Sequence, residues 1–174
     1  LPPPPPPATV SLVRIDTGRV VADLPAGRRP AAVALAPDGR MVLASASLSG
    51  ELIFFALDDA GRFRRTAVLW LGGEPRGITI SKDGKLLYLC ASDEDGVEVI
   101  DTTTMKVVRT LQSGADPELF ILHPSGNPLY IANENDAQVT VLDVDTNQVL
   151  AQVPVGVEPE GMGISPDGKV LVNT

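Results

Sequence analysis

Apolar and polar residues alternate along most of the chain in short runs, and each run ends at turn-forming residues. In the clearest segment these runs are Gly77–Ile80, Lys85–Cys90, Val97–Ile100 and Val107–Leu111. Alternation with many β-branched residues is typical of half-buried β-strands. The pattern predicts four consecutive antiparallel strands. The Asp83-Gly84 pair predicts a tight hairpin turn between the first two, because it tolerates positive φ angles.

Three markers recur in one register along the sequence. Turn glycines follow one another at spacings of 45, 42 and 42 residues, and so do the prolines of a Gly-x-x-Pro motif. The glycines are Gly39, Gly84, Gly126 and Gly168; the prolines are Pro30, Pro75, Pro117 and Pro159; the third marker is an aspartate after an apolar run, at Asp16, Asp58, Asp101 and Asp143. A four-stranded repeat of this length predicts an all-β fold, the β-propeller. A β-helix, the alternative, has a shorter repeat and fewer hairpins.

The register divides the chain into three full blades and two half-blades. The longer first spacing is explained by an enlarged hairpin loop over residues 58–65. We expect a proline-rich linker at 1–8 and a partial propeller at 9–174, divided into a half-blade at 9–27, blades at 28–72, 73–114 and 115–156, and a half-blade at 157–174. We expect these blades to be part of a seven-bladed propeller. The alternative is a four-bladed ring closed by the two halves. Unclosed strand edges predict self-association.

Composition and charge exclude several classes of protein. The chain is 44% hydrophobic and 21% charged, which suits a packed core, and its net charge of −8 argues against nucleic-acid binding. The charge is uneven: residues 1–78 hold nine arginines and seven acids, whereas residues 79–174 hold five basic and fifteen acidic residues. No apolar stretch is long enough to predict a membrane span. A single cysteine, Cys90, excludes an internal disulfide.

Several segments resemble a known repeat family. Tyr130–Asn133 and, more loosely, Tyr88–Ala91 are similar to the tetrad that names the YVTN family of β-propeller repeats. Gly156–Pro159 followed by Ser165–Lys169 is similar to the same family's Gly-x-x-Pro and Ser-Pro-Asp-Gly-Lys motifs. The resemblance covers the chain from about Val10 onward and implies propeller blades, without itself implying a molecular activity.

A narrower resemblance comes from Asp116–Phe120, Val155–Met162 and Val172–Thr174. These segments resemble the propeller family associated with pyrroloquinoline-quinone-dependent (PQQ-dependent) catabolism. The resemblance implies an exported, periplasmic or secreted protein of seven blades, encoded near quinoprotein alcohol-oxidation systems. It also implies a protein partner in a quinoprotein dehydrogenase system. Direct binding of PQQ is not expected, and no cofactor is predicted. The sequence shows no signal peptide, since a proline run follows Leu1.

Charged residues in the loops are the candidate site. In a propeller the loops that enter each first strand share a face with the loops between second and third strands, and function usually lies there. The residues predicted at a ligand or partner site on this face are Arg76, Asp116, Glu118, Glu158 and Glu160. A second group is expected farther from the axis: Asp93, Glu94, Asp95, Glu134, Asn135 and Asp136.

Glu118 and Glu160 are the candidate metal ligands. They occupy equivalent positions of adjacent blades, directly after the motif proline. Carboxylates of this kind suit a hard divalent cation such as calcium, or a lanthanide, because such ions take several oxygen ligands. They suit a basic partner equally well. The competing interpretation is that they are solvated loop acids.

Other chemistry-bearing residues have simpler structural interpretations. His123, the single histidine, precedes a turn on the opposite face, and Cys90 stands in a column of small residues. Trp70 is expected to pack between blades. The arginines of the enlarged loop, Arg62, Arg64 and Arg65, are expected to be solvated, with a docking role as the alternative.

Three functions follow from this evidence. The first is a non-catalytic periplasmic propeller that binds a partner or ligand linked to quinoprotein alcohol oxidation. The second is a lactonase-type propeller enzyme, which needs a metal or an acid–base pair in the funnel. The third is a structural or surface-layer repeat protein. Fold alone does not choose among them, because propellers host binding, catalysis and scaffolding.

Overall fold

The computed structural model of the chain describes residues 8–91 and 95–174, and within them the structure is entirely β. Sixteen strands form five antiparallel sheets in that part of the chain, and neighbouring strands in each sheet follow one another in sequence. The two outer sheets have two strands each and the three between them have four. The predicted architecture of three full blades and two half-blades is confirmed.

The first half-blade and the first full blade occupy residues 9–70. The half-blade contains β1 (Thr9–Arg14) and β2 (Arg19–Pro25). The blade contains β3 (Pro30–Leu35), β4 (Met41–Ala46), β5 (Glu51–Leu57) and β6 (Phe63–Trp70). From the register of the repeat, β1 and β2 are the third and fourth strands of their blade.

The second and third blades and the last half-blade occupy residues 75–173. The second blade contains β7 (Pro75–Ile80), β8 (Leu86–Ala91), β9 (Gly96–Asp101) and β10 (Lys106–Gln112). The third contains β11 (Pro117–Leu122), β12 (Leu129–Asn133), β13 (Gln138–Asp143) and β14 (Gln148–Pro154). The last half-blade contains β15 (Met162–Ile164) and β16 (Leu171–Asn173).

The core lies between successive blades rather than inside any one sheet. Leu43 and Phe54 of the first blade and Leu87 and Leu89 of the second are fully buried against one another. A second cluster joins the second and third blades, and a third joins the first half-blade to the first blade. Each blade therefore depends on its neighbour for most of its apolar burial, as expected for stacked repeats.

Marker aspartates build the hairpins between third and fourth strands. Asp101 Oδ1 accepts hydrogen bonds from the backbone N–H groups of Thr103 (2.9 Å) and Thr104 (2.7 Å). Asp143 does the same with the two residues at the matching positions of its own turn. These N–H donors stabilise the carboxylate form and hold the pKa values of both aspartates below the ordinary value. Local turn chemistry thus explains the aspartate at these two hairpins.

The described residues include no helix long and apolar enough to cross a membrane.

Candidate functional site

Two sets of loops meet on one face, which we call the axial face. Ser47 N donates to Arg29 O (2.9 Å), and Glu134 N donates to Asp116 O (3.0 Å). In both blades a loop between the second and third strands is therefore hydrogen-bonded to the loop that enters the first strand. The predicted sharing of one face by these loops agrees with this structure.

The turn that enters the first strand has a left-handed residue just before the motif proline. Arg29, Asp116 and Glu158 take φ values of 57°, 57° and 53°. In the remaining blade Gly72 and Gly73 have positive φ instead. Because proline disfavours the right-handed helical region for its predecessor, the turn holds these residues in a restricted shape that directs the chain into the strand.

Arg76, the second residue of β7, is anchored from several sides. Its Nη2 lies 3.0 Å from Glu74 Oε2 and 3.3 Å from Glu118 Oε1. Its carbonyl oxygen accepts a 2.7 Å hydrogen bond from Ser45 Oγ of the preceding blade. Its Nε is buried and has no hydrogen-bond partner among the described residues. The guanidinium is thus held in place and keeps a donor that is not used.

Glu118, the second residue of β11, is a half-buried acid on this face. Its side chain is 17% exposed, compared with 26% for Arg76. Burial raises the pKa of Glu118 above the ordinary glutamate value. Arg76 opposes this increase in pKa, while the nearby charges of Asp116, Glu134 and Glu160 reinforce it. A carboxyl group with a raised pKa beside a fixed cation is a common arrangement at functional sites.

A concave pocket of about 290 Å³ surrounds this pair. It takes residues from the first strands of successive blades and from the loops before them. The lining residues are Arg29, Pro30, Ala31, Ala32, Ser47, Arg76, Gly77, Glu118, Leu119 and Glu160. Since first strands converge only near a propeller axis, this pocket is the part of the axial funnel formed by these blades.

Three acids form a cluster at the edge of this pocket. Carboxylate oxygens of Asp116, Glu118 and Glu134 lie within 4.8 Å of one another. Asn135 Nδ2 also donates to Asp116 Oδ2 (3.1 Å). Glu118 and Glu160 were the predicted metal ligands. In the structure Glu118 clusters with Asp116 and Glu134, and Glu160 is not part of this cluster. Glu134, expected farther from the axis, is therefore brought close to Glu118 by the loop-to-loop hydrogen bond.

The remaining predicted acids fall into different positions. Glu158 is exposed and does not line the pocket. Asp136 Oδ2 accepts from Ala115 N (2.8 Å), and Asp95 Oδ1 accepts from Asp116 N (3.2 Å), so both fasten loops. Asp93 and Glu94 lie outside the described residues. Of the five predicted site residues, Arg76, Glu118 and Glu160 line the pocket and Asp116 joins the acidic cluster.

The other singled-out residues have structural roles, with one correction. His123 Nδ1 lies 2.6 Å from Ser125 Oγ, where two other blades have Ser–Asp hydrogen bonds of 2.7 Å. Cys90 is fully buried, which raises the pKa of its thiol well above the ordinary value. The prediction that Trp70 packs between blades is wrong. Trp70 is the last residue of the outer strand β6, and it is 74% exposed.

Arg29 is the pocket residue that sequence reasoning missed. It lines the pocket from the first full blade and is exposed. The signal was present, because Arg29 precedes the motif proline just as Asp116 and Glu158 do. The prediction rested on the residue after the proline, and in this blade that residue is Ala31.

Comparisons with known proteins agree with this architecture. The family model described as "Lactonase, 7-bladed beta-propeller" matches residues 6–113. None of the curated proteins compared with the chain matches it. Hydrazine synthase of Kuenenia stuttgartiensis, a solved structure, superimposes with a TM-score of 0.82 at 24% identity. The match covers 94% of this chain and 48% of that one, so the chain spans about half the length of this structural relative. At this identity the likeness concerns the fold alone.

Proposed function

The chain belongs to the lactonase family of seven-bladed β-propellers, and on that premise we propose that its axial pocket is part of a hydrolytic site that opens a lactone ring. The observation that carries the proposal is the Arg76–Glu118 pair, 3.3 Å apart in a concave pocket, with the pKa of Glu118 raised by burial. Ring opening needs a base for water and a donor for the carbonyl oxygen, and this pair supplies both.

In the proposed reaction the Glu118 carboxylate takes a proton from a water molecule, and the water oxygen attacks the lactone carbonyl carbon. Negative charge that develops on the carbonyl oxygen is stabilised by the Arg76 guanidinium. The ring C–O bond then breaks, and the proton held by Glu118 passes to the departing ring oxygen. The product is an open-chain hydroxy acid. Arg29, the second arginine of the pocket, favours lactones that carry an anionic group.

The test is hydrolysis of a panel of five- and six-membered lactones, with and without a carboxylate substituent, followed by acid release. We expect Glu118→Gln to lower kcat by about a hundredfold or more, because general-base catalysis contributes factors of this size. The matched control is Asp59→Asn, an exposed acid in the enlarged loop on the opposite face. Equal losses in both variants, or turnover that survives in Glu118→Gln, would contradict the assignment of the base.

A second candidate is hydrolysis assisted by a cation on the cluster of Asp116, Glu118 and Glu134. Three carboxylates fit a hard cation such as calcium in donor type, but such ions take six to eight oxygens. Arg76 also competes for a Glu118 oxygen. We therefore propose the metal-independent route first. Activity that EDTA abolishes and calcium restores would favour the cation instead.

The PQQ-linked function stays a prediction from sequence resemblance. On that hypothesis the protein is periplasmic, is not an enzyme and binds a partner of a quinoprotein dehydrogenase through its acidic loops. The lactonase family match favours the enzyme over this hypothesis. A failure of every lactone to turn over, together with partner binding that charge reversal at Glu118 and Glu160 abolishes, would restore the binding function.

A further inference from the structure

A groove on the outer rim, remote from the axial pocket, has no role in the proposed hydrolysis. It lies between the half-blade β1–β2 and the first full blade, and its volume is about 510 Å³. We call it the rim groove; its lining residues are Leu12, Val21, Ala22, Asp23, Leu24, Pro25, Phe55, Gly61, Arg62, Phe63, Arg64 and Arg65. All of these belong to third and fourth strands or to the loop between them. The groove is therefore bounded by outer strands that are present on both sides.

At the two interfaces between full blades, side chains bridge or fill the rim. Between the second and third blades, Arg109 Nη2 donates to Val144 O of the next blade (2.7 Å), and Val144 itself is 3% exposed. Between the first and second blades, Met105 of the β9–β10 turn packs into the apolar cluster. In each case a residue of the turn between third and fourth strands fills the gap.

Two sequence differences distinguish the rim groove from the interface between the second and third blades. Ala22 pairs with Leu12, and Arg109 pairs with Val99, and both pairs lie next to a register shift. Ala22 is therefore the residue of the first half-blade that is equivalent to Arg109, which lies two blades later. The bridging guanidinium is thus lost at this interface. The β5–β6 turn is also enlarged, and this region has Arg62 in the turn and Arg64 and Arg65 at the start of β6 instead of a side chain that closes the gap.

The floor and rim of the groove differ in chemistry. Phe55 is 1% and Leu24 7% exposed, and Phe63 packs partly buried beside them. The rim carries Arg62 and Arg64, whose side chains are 65% and 59% exposed. An apolar floor under an arginine rim matches a ligand that has both apolar and acidic groups.

The arginines have donors left for such a ligand. Arg62 and Arg64 both approach the same oxygen, Asp58 Oδ2, through Nε at 3.4 and 3.2 Å. These contacts leave the paired Nη groups, the fork that binds carboxylates bidentately. Arg65 is exposed, and no ion pair joins it to another described residue. Asp23 is the single acid in the lining, and Ser11 Oγ donates to it (2.6 Å).

We propose that the rim groove binds an extended acidic segment of a partner protein, with an apolar side chain on the Phe55–Phe63 floor and carboxylates on Arg62, Arg64 and Arg65. The choice of occupant rests on charge complementarity. The chain has a net charge of −8, yet the groove lining has three arginines against one aspartate. The groove is therefore positively charged on a molecule of net negative charge. The molecule as a whole repels an acidic partner at long range, and direct pairing with the groove arginines offsets this repulsion.

The test uses a fluorescein-labelled eight-residue peptide of alternating glutamate and leucine, with fluorescence anisotropy as the readout. The comparison peptide has glutamine at every glutamate position. We expect saturable binding of the acidic peptide, weakening as salt rises from 50 to 300 mM, and at least about tenfold weaker binding of the glutamine peptide. Equal binding of both peptides, or no binding of either, would overturn the proposal.

Two variants place the binding on the groove. Arg65→Glu reverses a rim charge without removing an ion pair to a described residue, so it should weaken acidic-peptide binding at least about tenfold while the far-ultraviolet circular dichroism stays unchanged. Arg40→Glu, an exposed arginine of the β3–β4 turn outside the lining, is the matched control. Similar weakening by both would mean a diffuse charge effect. A rise in solution mass of the unliganded protein that Arg65→Glu abolishes would mean that the occupant is the acidic half of a second copy, and it would also overturn the proposal.

Discussion

Glu118 is shaped by neighbours from three blades. Its carboxyl lies beside Arg76 of the preceding blade and feels the charges of Asp116, Glu134 and Glu160. Burial and the three acids push the pKa up, and the guanidinium pushes it down. The chemistry of one side chain is thus set by residues of its own blade and of the two neighbouring blades.

The pH dependence of lactone hydrolysis tests this balance of charges. A general base works when deprotonated, so kcat/KM should rise with pH through a pKa above the ordinary glutamate value. Arg76→Met removes the influence that lowers this pKa and should move the rise to higher pH. Glu160→Gln removes an influence that raises the pKa and should move it to lower pH. Rate profiles of the two variants that shift in the same direction would contradict this assignment.

Glu118 also links activity to stability, and the sign follows from its raised pKa. An acid whose pKa is higher in the folded state stabilises the fold below its unfolded pKa, and that stabilisation is lost as pH rises through the folded pKa. Ionised Glu118 therefore destabilises the fold relative to protonated Glu118, and we attribute its presence to function. This conflict between local burial and charge is typical of functional sites.

The sequence predicted some of these residues and missed others for a physical reason. Arg76, Glu118 and Glu160 could be predicted because the repeat register places them at one position of adjacent blades. Glu134 was placed farther out because its loop belongs to a different part of the blade. Hydrogen bonds from Glu134 N and Asn135 Nδ2 to Asp116 join the two loops and bring Glu134 to the cluster. Loop-to-loop contacts of this kind leave no periodic mark in the sequence.

At the scale of elements, the hairpin aspartates do the same work in turns of different length. Asp58 Oδ1 accepts from Ala60 N (3.0 Å) and Arg62 N (2.8 Å) in the enlarged loop, as Asp101 does in the shorter one. The hydrogen bonds to Asp58 thus fix the start of the enlarged turn, and the extra residues follow this aspartate. Strands and turns could be predicted from sequence because each blade repeats this local chemistry.

Asp101→Ala should lower the melting temperature at neutral pH, because two backbone N–H donors of the turn lose their acceptor. The pKa of Asp101 is lowered in the fold, so its stabilisation is present above the unfolded pKa and is lost as pH falls through the folded one. The difference in melting temperature between wild type and variant should therefore shrink in acid. Thermal unfolding followed by circular dichroism at pH 7 and pH 3 measures it.

Asp59→Ala is the control for this comparison. Asp59 lies in the enlarged loop, is exposed and makes no hydrogen bond or ion pair to the described residues. Its removal should leave the melting temperature unchanged at both pH values. A loss as large as that of Asp101→Ala would show that negative charge on the hairpins, rather than the hydrogen-bonded turn, provides the stabilisation.

At the scale of the whole molecule, the first full blade exposes apolar residues of its inner strand that the next blade buries. Val33 and Leu35 of β3 are 56% and 58% exposed, whereas the equivalent Ile78 and Ile80 of β7 pack against the preceding blade. The sheet before β3 contributes only outer strands, so no inner strand covers these residues. The sequence predicted the blade pattern but not ring closure, because the markers describe one repeat and carry no information on blade number.

We predict that these surfaces drive self-association of the chain. Val33→Thr with Leu35→Thr keeps β-branching at one position and removes apolar area at both, so the solution mass measured by light scattering should fall toward that of a monomer. Val108→Thr, on the outer strand β10 where Val108 is 54% exposed, is the control and should change nothing. A mass that the control lowers equally would assign the association to surface hydrophobicity in general.

The left-handed turn before the motif proline has a consequence for engineering. The same backbone shape accepts arginine at position 29, aspartate at 116 and glutamate at 158, and their φ values differ by only a few degrees. The backbone conformation of this turn is thus compatible with different charged side chains at the same position. Exchanging the charged residues among these three positions is a route to new ligand preferences, because each exchange keeps a backbone conformation that the turn already adopts.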